Sequence, residues 1–177
     1  INYCASRGDQ ISNVYTSGPA RGLFNRQYWP TVADVRDGTS NTIAFSEQAV
    51  YLAPSAHHGG CVRSFGTSIY TNPAACLAVL IGPNELNPAY EAGKTDTYNR
   101  ERCGACWWAA GTAAHTGFNT VLPPNAPQCA ASADSFSQGL FPPDSYHPGG
   151  VNGCMADGSV RFINETIDTG NLSVAAA

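Results

Sequence analysis

Apolar residues occur along this chain in short runs that Gly, Pro, Asn, Ser and Thr interrupt, a pattern typical of short strands joined by ordered loops. Four of these runs predict strands: 1–5, 42–45, 153–156 and 159–163. The last two flank Asp157 and Gly158, as in a hairpin with a two-residue type I′ turn. Gly158 adopts a positive φ without cost and Asp157 tolerates one. The pattern therefore predicts a β-rich chain with a C-terminal hairpin.

The middle of the chain has a different pattern. Residues 54–135 are rich in loops and proline, and they include the apolar run 74–81, which is too short for periodicity to separate a helix from a buried strand. We expect a single domain over residues 1–177, because this length is typical of one hydrophobic core. Its core is expected from 1–53 and 136–177, with 54–135 as a loop-rich, disulfide-containing insertion lobe on the same sheet.

Composition narrows the possible partners. Hydrophobic residues make up 43% of the chain and charged residues 12%, which is about half the usual charged share and favours packing or assembly. The net charge is −4 and no segment concentrates Lys or Arg, so nucleic-acid binding is disfavoured. No apolar run approaches the roughly 20 residues that span a bilayer.

Seven cysteines beside one lysine and one methionine indicate an extracytoplasmic protein, because disulfides persist in oxidising compartments. An odd count leaves one thiol free, bonded to another chain, or bonded to a part of the protein absent here. The pair Cys103 and Cys106 is expected to be structural, since no βαβ pattern supports a thioredoxin-like redox role. A zinc site made of His57, His58 and Cys61 with that pair is the less favoured alternative.

Several blocks in a fixed order carry a family resemblance. His147 is followed after nine residues by Asp157 and Gly158, and earlier blocks are Asn2-Tyr3 with Gly8-Asp9, residues 37–47, residues 108–111 and residues 116–129. Together they resemble a planctomycete-type family of exported, prepilin-like bacterial proteins that carry a C-terminal His-x9-Asp-Gly domain. That family is similar to type IV pilins and type II secretion pseudopilins.

The resemblance implies an α+β, pilin-like fold that is mostly antiparallel β-sheet with long loops. In the family, an N-terminal hydrophobic helix packs on the sheet and mediates polymerisation. This chain has neither that helix nor a leader, so we expect a processed or partly observed protein, with apolar residues exposed on one sheet face. The resemblance also implies a Cys76–Cys129 disulfide, and Cys4 and Cys154 are further candidates if their strands are neighbours.

Three sets of polar residues are candidates for chemistry. Residues 37–42 are expected to form a structural turn at Asp37 and Gly38; the alternative is a cation site in which Asp37, Asn41 and Glu47 supply oxygens. Calcium is a second candidate, since the similar loop of major pseudopilins binds it, with Asp144 and Asp157 as ligands. As a third, His147 is a weak candidate for a catalytic base, because no hydrolase motif accompanies it. We expect its ring nitrogens to bond backbone groups instead.

These observations favour a non-catalytic, secreted or cell-surface structural subunit, a component of a filament or surface assembly. Its expected partners are further copies, other assembly subunits and the missing N-terminal segment. The alternative is an extracellular solute- or glycan-binding module, which the three tryptophans and eight tyrosines would suit. We expect no enzymatic activity, and no cofactor other than calcium.

Overall fold

A computed structural model describes residues 2–12, 19, 21–50, 57–83, 85–88, 111–132 and 138–175. The strands are β1 (Tyr3–Ser6), β2 (Ile43–Glu47), β3 (Cys61–Val62), β4 (Leu80–Gly82), β5 (Glu85–Leu86), β6 (Gly117–Phe118), β7 (Gln128–Ala130), β8 (Gly139–Leu140), β9 (Gly150–Met155) and β10 (Val160–Asn164). The helices are short: α1 (Ala74–Leu77), α2 (Ala113–Thr116) and two 3₁₀ turns, Val32–Asp34 and Thr67–Tyr70. Within these residues the protein is mostly β-sheet, and no helix among them is long and apolar enough to cross a membrane.

The largest sheet has five strands in the order β10-β9-β2-β1-β6. Its pairs are antiparallel except β1 with β6, which run parallel. The strands near the N-terminus therefore pair directly with the C-terminal hairpin. Strand β6 comes from the insertion lobe, so the lobe adds an edge strand to the core sheet.

The turn of the C-terminal hairpin differs from the predicted type. Met155 donates its N–H to the carbonyl of Ser159 at 2.8 Å, and Gly158 donates to the carbonyl of Met155 at 3.0 Å. These bonds enclose a three-residue loop in which Gly158 has a φ of 85° and Asp157 keeps a negative φ. The geometry is that of a type I turn closed by a glycine in the left-handed region. The hairpin prediction is confirmed, and the two-residue type I′ turn is wrong.

The five-stranded sheet has one covered and one exposed face. Cys4, Ser46 and Val151 are buried on the covered face. The opposite side, called here the outer face, is defined by four exposed apolar residues: Tyr3 (62% exposed), Phe45 (42%), Val160 (66%) and Phe162 (52%). The register places these four on one side, since Tyr3 lies opposite Glu47 and Phe45 opposite Cys154, which pairs with Val160. One sheet face thus exposes apolar side chains, as expected.

The lobe has its own apolar core beside the sheet. Strand β7 pairs with β3 in parallel and with β8 in antiparallel orientation, and β8 belongs to the C-terminal part of the chain. Buried residues including Ile69, Val79, Leu122 and Leu140 pack together there. The two parts of the chain therefore share strands in the five-stranded sheet and in the three-stranded sheet β3-β7-β8, whereas the two-stranded sheet β4-β5 lies within the lobe.

A disulfide fixes this lobe core, and it is the pair that the resemblance implies. Cys76 and Cys129 are joined with their Cα atoms 6.0 Å apart, and both are fully buried. The apolar run 74–81 is split at this point, because Cys76 lies in α1 and the chain then turns into β4. The run is consequently part helix and part strand.

The other proposed pairs have different outcomes. Cys4 and Cys154 do not form a disulfide, because β2 lies between β1 and β9 and the two side chains point to opposite faces of the sheet. Two strand spacings amount to about 9 to 10 Å, beyond the roughly 7 Å limit between bridged Cα atoms. Cys103 and Cys106 lie outside the described residues.

Candidate functional site

Two adjoining clefts lie where strand β2 ends. The first has a volume of about 790 Å³ and is lined by rings and prolines, among them His57, His58, Tyr146 and Pro123. The second, of about 570 Å³, is lined by polar groups that include Glu47 and Gln48. Residues 145–147 border both clefts and form the ridge between them. This ridge immediately precedes the glycines that lead into β9.

A buried carboxylate organises the wall of the first cleft. Asp144 is 1% exposed, accepts the backbone N–H of Gly59 at 2.6 Å, and forms a close contact with Nδ1 of His58. Its own N–H donates to the carbonyl of Glu47 at 3.1 Å, which ties it to the end of β2. Burying a carboxylate is costly unless it is hydrogen-bonded, and these donors offset that cost. Asp144 therefore fixes the loop at 57–59 against the sheet.

Three rings stack beside this pair. The rings of His57 and His58 have centroids 4.0 Å apart, and that of His58 lies 5.3 Å from Tyr146. Nε2 of His57 lies 3.0 Å from the carbonyl oxygen of Asn125, and the hydroxyl of Tyr146 donates to the carbonyl of Val50 at 2.7 Å. Partial burial raises the pKa of Tyr146, and the charge of Asp144 raises it further. The phenol is consequently neutral and firmly positioned at neutral pH.

His147 meets a carboxylate at the second cleft, where we had expected backbone partners. Its Nε2 lies 3.3 Å from Oε1 of Glu47, while its ring remains largely exposed. Glu47 also accepts the backbone N–H of Asn152 at 2.8 Å and the side-chain amide of Asn152 at 3.2 Å. The signature histidine is thus linked to the block 37–47 through Glu47, and Glu47 in turn joins β2 to β9.

The other end of β2 holds the remaining motif residues. Asn41 donates its side-chain amide to the carbonyl of Asp37 at 3.1 Å, and Gly38 has a φ of 87°, as the structural turn reading requires. The carbonyls of Thr39 and Thr42 accept the backbone N–H groups of Asp157 and Ala156. The turn at 37–42 is therefore packed directly against the hairpin turn.

This arrangement separates the residues that were grouped as cation ligands. Asp157 lies with the turn at 37–42, whereas Asp144 and Glu47 lie beyond the other end of β2, about 13 Å away along the strand. Oδ1 of Asp157 accepts both the N–H and the hydroxyl of Ser159. Among the described residues, no three His, Cys, Asp or Glu side chains are grouped to hold a metal. The proposed ligand sets do not converge on one ion.

The proposed zinc ligands are only partly described. His57 contacts Asn125, and His58 contacts Asp144. Cys61 is placed in β3, and its thiol donates to the carbonyl of Val62 at 3.5 Å. Sequence reasoning recognised each histidine but missed the His58–Asp144 pair, because those residues are 86 positions apart. The only sequence feature that pointed to the first cleft was the pair of adjacent histidines in a Gly-rich loop.

Comparison with known proteins identifies the family. Residues 3–170 match the family model SBP_bac_10, described as "Protein of unknown function (DUF1559)". The match covers nearly the whole chain, so the protein belongs to this family. No curated protein and no solved structure matches the chain.

Proposed function

We propose that the protein is a non-catalytic structural subunit of an extracytoplasmic, pilin-like assembly, and that the outer face is its assembly surface. The observation that carries this proposal is the set of four exposed apolar side chains on the outer face. Phe45 and Val160 lie on either side of Cys154, whereas Tyr3 and Phe162 pair with Glu47 and Asn152. Apolar side chains exposed together on a sheet face mark an interaction site in soluble proteins. Its proposed occupant is an apolar helix, the element that packs on the sheet in the pilin-like proteins that the sequence resembles.

Two further observations support this proposal. The ring of Phe24 packs on Phe45 with centroids 5.0 Å apart, so the outer face continues as an apolar surface beyond the strands. The buried Cys76–Cys129 disulfide and the low charge suit a protein that works outside the cytoplasm.

The His147–Glu47 pair is given a structural role in this proposal. Both oxygens of Glu47 accept hydrogen bonds from Asn152, which makes the carboxylate a cross-strand bridge. The pair orients the loop that leads into β9.

Site-specific photocrosslinking in the native assembly tests the proposal. Phe162 is replaced by p-benzoylphenylalanine in the producing cell, surface material is irradiated, and the adducts are mapped by mass spectrometry. We expect crosslinks from position 162 to an apolar helix of an assembly subunit. The matched control is the same replacement at Val32, which is 78% exposed but lies outside the outer face, and which should give no such adduct. Equal adduct patterns at both positions would contradict the proposal.

A second candidate function is an extracellular solute- or glycan-binding module. The observation that favours it is the pair of adjoining clefts, which join a ring-lined wall to a polar one. Both volumes fall in the range of about 300 to 1,000 Å³ that is usual for ligand sites. The second cleft shares Tyr3 with the outer face, so the two functions are tested at residues that belong to one surface only: Phe162 for the outer face and Tyr146 for the clefts.

A further inference from the structure

We infer that the two clefts form one elongated binding site for a neutral oligosaccharide, whose chain crosses the ridge at 145–147. This inference rests on the second candidate function and names its ligand class. Because both clefts border the same three residues, a ligand longer than one ring can occupy both at once. A single small solute would fill only one of them.

The charges around the site favour an uncharged ligand. None of the described residues that line the clefts is Lys or Arg, so an anionic ligand meets no fixed positive charge. The carboxylates there already accept hydrogen bonds from protein groups: Asp144 from Gly59, Glu47 from Asn152, and Glu165 from Asn125. An organic cation would have to compete with these donors. Hydroxyl groups, in contrast, can add to partly used acceptors without displacing them.

The ridge provides an aromatic platform for the ligand. The side chain of Tyr146 is 52% exposed, and its ring is held by the hydroxyl bond to Val50 and by the ring of His58. A ring fixed in this way loses little conformational entropy when a ligand packs on it. The C–H groups on one face of a sugar ring suit the electron-rich face of a phenol. Pro123 and Pro124 extend the wall of the first cleft with rigid apolar surface.

The second cleft adds a polar group that needs a partner. Gln48 is 2% exposed and lines this cleft. Its amide nitrogen has no hydrogen-bond partner among the described residues. A buried amide without a partner is unusual in a folded protein. This nitrogen is itself buried, so a ligand hydroxyl would accept its hydrogen bond once the side chain turned into the second cleft.

Calorimetric titration with defined oligosaccharides tests the inference. The probes are cellohexaose, maltohexaose, xylohexaose and chitohexaose, with choline as a cationic probe and oligogalacturonate as an anionic one. We expect at least one neutral probe to bind with a Kd below about 1 mM, and neither charged probe to bind. Tyr146→Ala should weaken that binding about tenfold or more, because it removes the aromatic platform.

Two further variants make the result specific to the site. Trp29→Ala removes an aromatic ring that is 82% exposed and lines neither cleft, so it should leave the affinity unchanged. His147→Ala alters the ridge at an exposed position and should weaken binding, which covers the case of Tyr146→Ala failing to fold.

The experiment distinguishes a wrong ligand class from a wrong binding function. Binding of choline in place of the neutral probes would overturn the ligand class but keep the binding function. Absence of binding by every probe would overturn both the ligand class and the binding function. If a neutral probe still binds both Tyr146→Ala and His147→Ala with unchanged affinity, the binding site does not lie in the two clefts.

Discussion

At the scale of single residues, the buried carboxylate of Asp144 connects distant segments of the site. It is 1% exposed, and its partners are His58 and the N–H of Gly59. Its side chain holds the loop at 57–59 and its backbone N–H holds the end of β2, and both of these segments lie far from Asp144 in the sequence. Its removal takes away the acceptor of the buried N–H of Gly59.

We expect Asp144→Ala to lower the free energy of unfolding by about 2 to 4 kcal/mol, because buried donors lose a charged acceptor. Asp144→Asn keeps one acceptor oxygen and should cost less. Urea denaturation measures both changes. Asp168→Asn, at a C-terminal turn where the side chain accepts one N–H of Gly170, is the control and should change the value by less than about 0.5 kcal/mol. If the Asp144→Ala protein is as stable as this control, the contacts of Asp144 with His58 and Gly59 contribute nothing to the stability of the fold.

The carboxylate of Asp157 in the hairpin turn should make the stability of the fold depend on pH. Hydrogen bonds from the side chain and then the backbone of Ser159 lower its pKa below the usual value of 3.8. A carboxyl group whose pKa is lower in the folded state stabilises the fold above the unfolded pKa, and this contribution disappears as the pH falls through the folded pKa. We expect Asp157→Asn to lower the Tm at pH 6 by a small amount, and the difference to vanish below the folded pKa. Thermal melts of the two proteins from pH 2 to 6 measure this difference in Tm. A difference that does not change with pH would contradict a lowered pKa of Asp157 in the folded state.

At the scale of elements, glycine determines how the C-terminal hairpin pairs. A Cβ at Gly150 would overlap the carbonyl oxygen of Ile163 in the neighbouring strand, whereas a Cβ at Gly158 would meet no atom within 4 Å. Gly150 is thus needed for close approach of two backbones, and Gly158 for its left-handed conformation alone.

Two alanine variants separate these roles. Gly158→Ala should cost about 1 to 2 kcal/mol of unfolding free energy, the usual penalty for the left-handed conformation. Gly150→Ala should cost more, since the β9–β10 backbones must also move apart. Chemical denaturation of the two variants checks which of them loses more stability. Hydrogen exchange of the hairpin amides shows whether the loss is located in the hairpin. A larger loss for Gly158→Ala would show that the strand contact is easily relaxed.

The hairpin also shows how far the sequence predicts the fold. The pair Asp157-Gly158 between two apolar runs predicted the position of the hairpin correctly, because a hairpin depends on residues that are neighbours in the sequence. The turn type was wrong, because two- and three-residue loops both accept this dipeptide. In the folded protein the carbonyls of Thr39 and Thr42 bind the N–H groups of the loop, and no local pattern encodes these distant contacts. The His58–Asp144 pair was missed for the same reason.

At the scale of the whole molecule, the Cys76–Cys129 disulfide holds together the apolar core of the lobe. Both residues are fully buried in the lobe core, and they are 53 positions apart. A crosslink over that distance restricts the unfolded chain by about 4 kcal/mol in the chain-entropy account. The lobe core therefore depends on oxidation as well as on apolar packing.

The double variant Cys76→Ala with Cys129→Ala should lose about 3 to 4 kcal/mol of unfolding free energy in non-reducing buffer. Cys154→Ala is the control, since Cys154 lies on the outer face and does not bond to Cys4; it should retain near-normal stability. Guanidinium denaturation compares the three proteins. A double variant as stable as the control would mean that packing alone holds the lobe.

The strand order has a consequence for how the chain reaches its folded state. Strand β9 lies between β10 and β2, so β2 has no partner on that side until residues 150–155 are available for pairing. Pairings over long sequence distances form slowly. The five-stranded sheet can therefore be completed only after residues 150–155 are available. A premature stop before Gly150 would leave the edge of β2 bare and open to pairing with other chains.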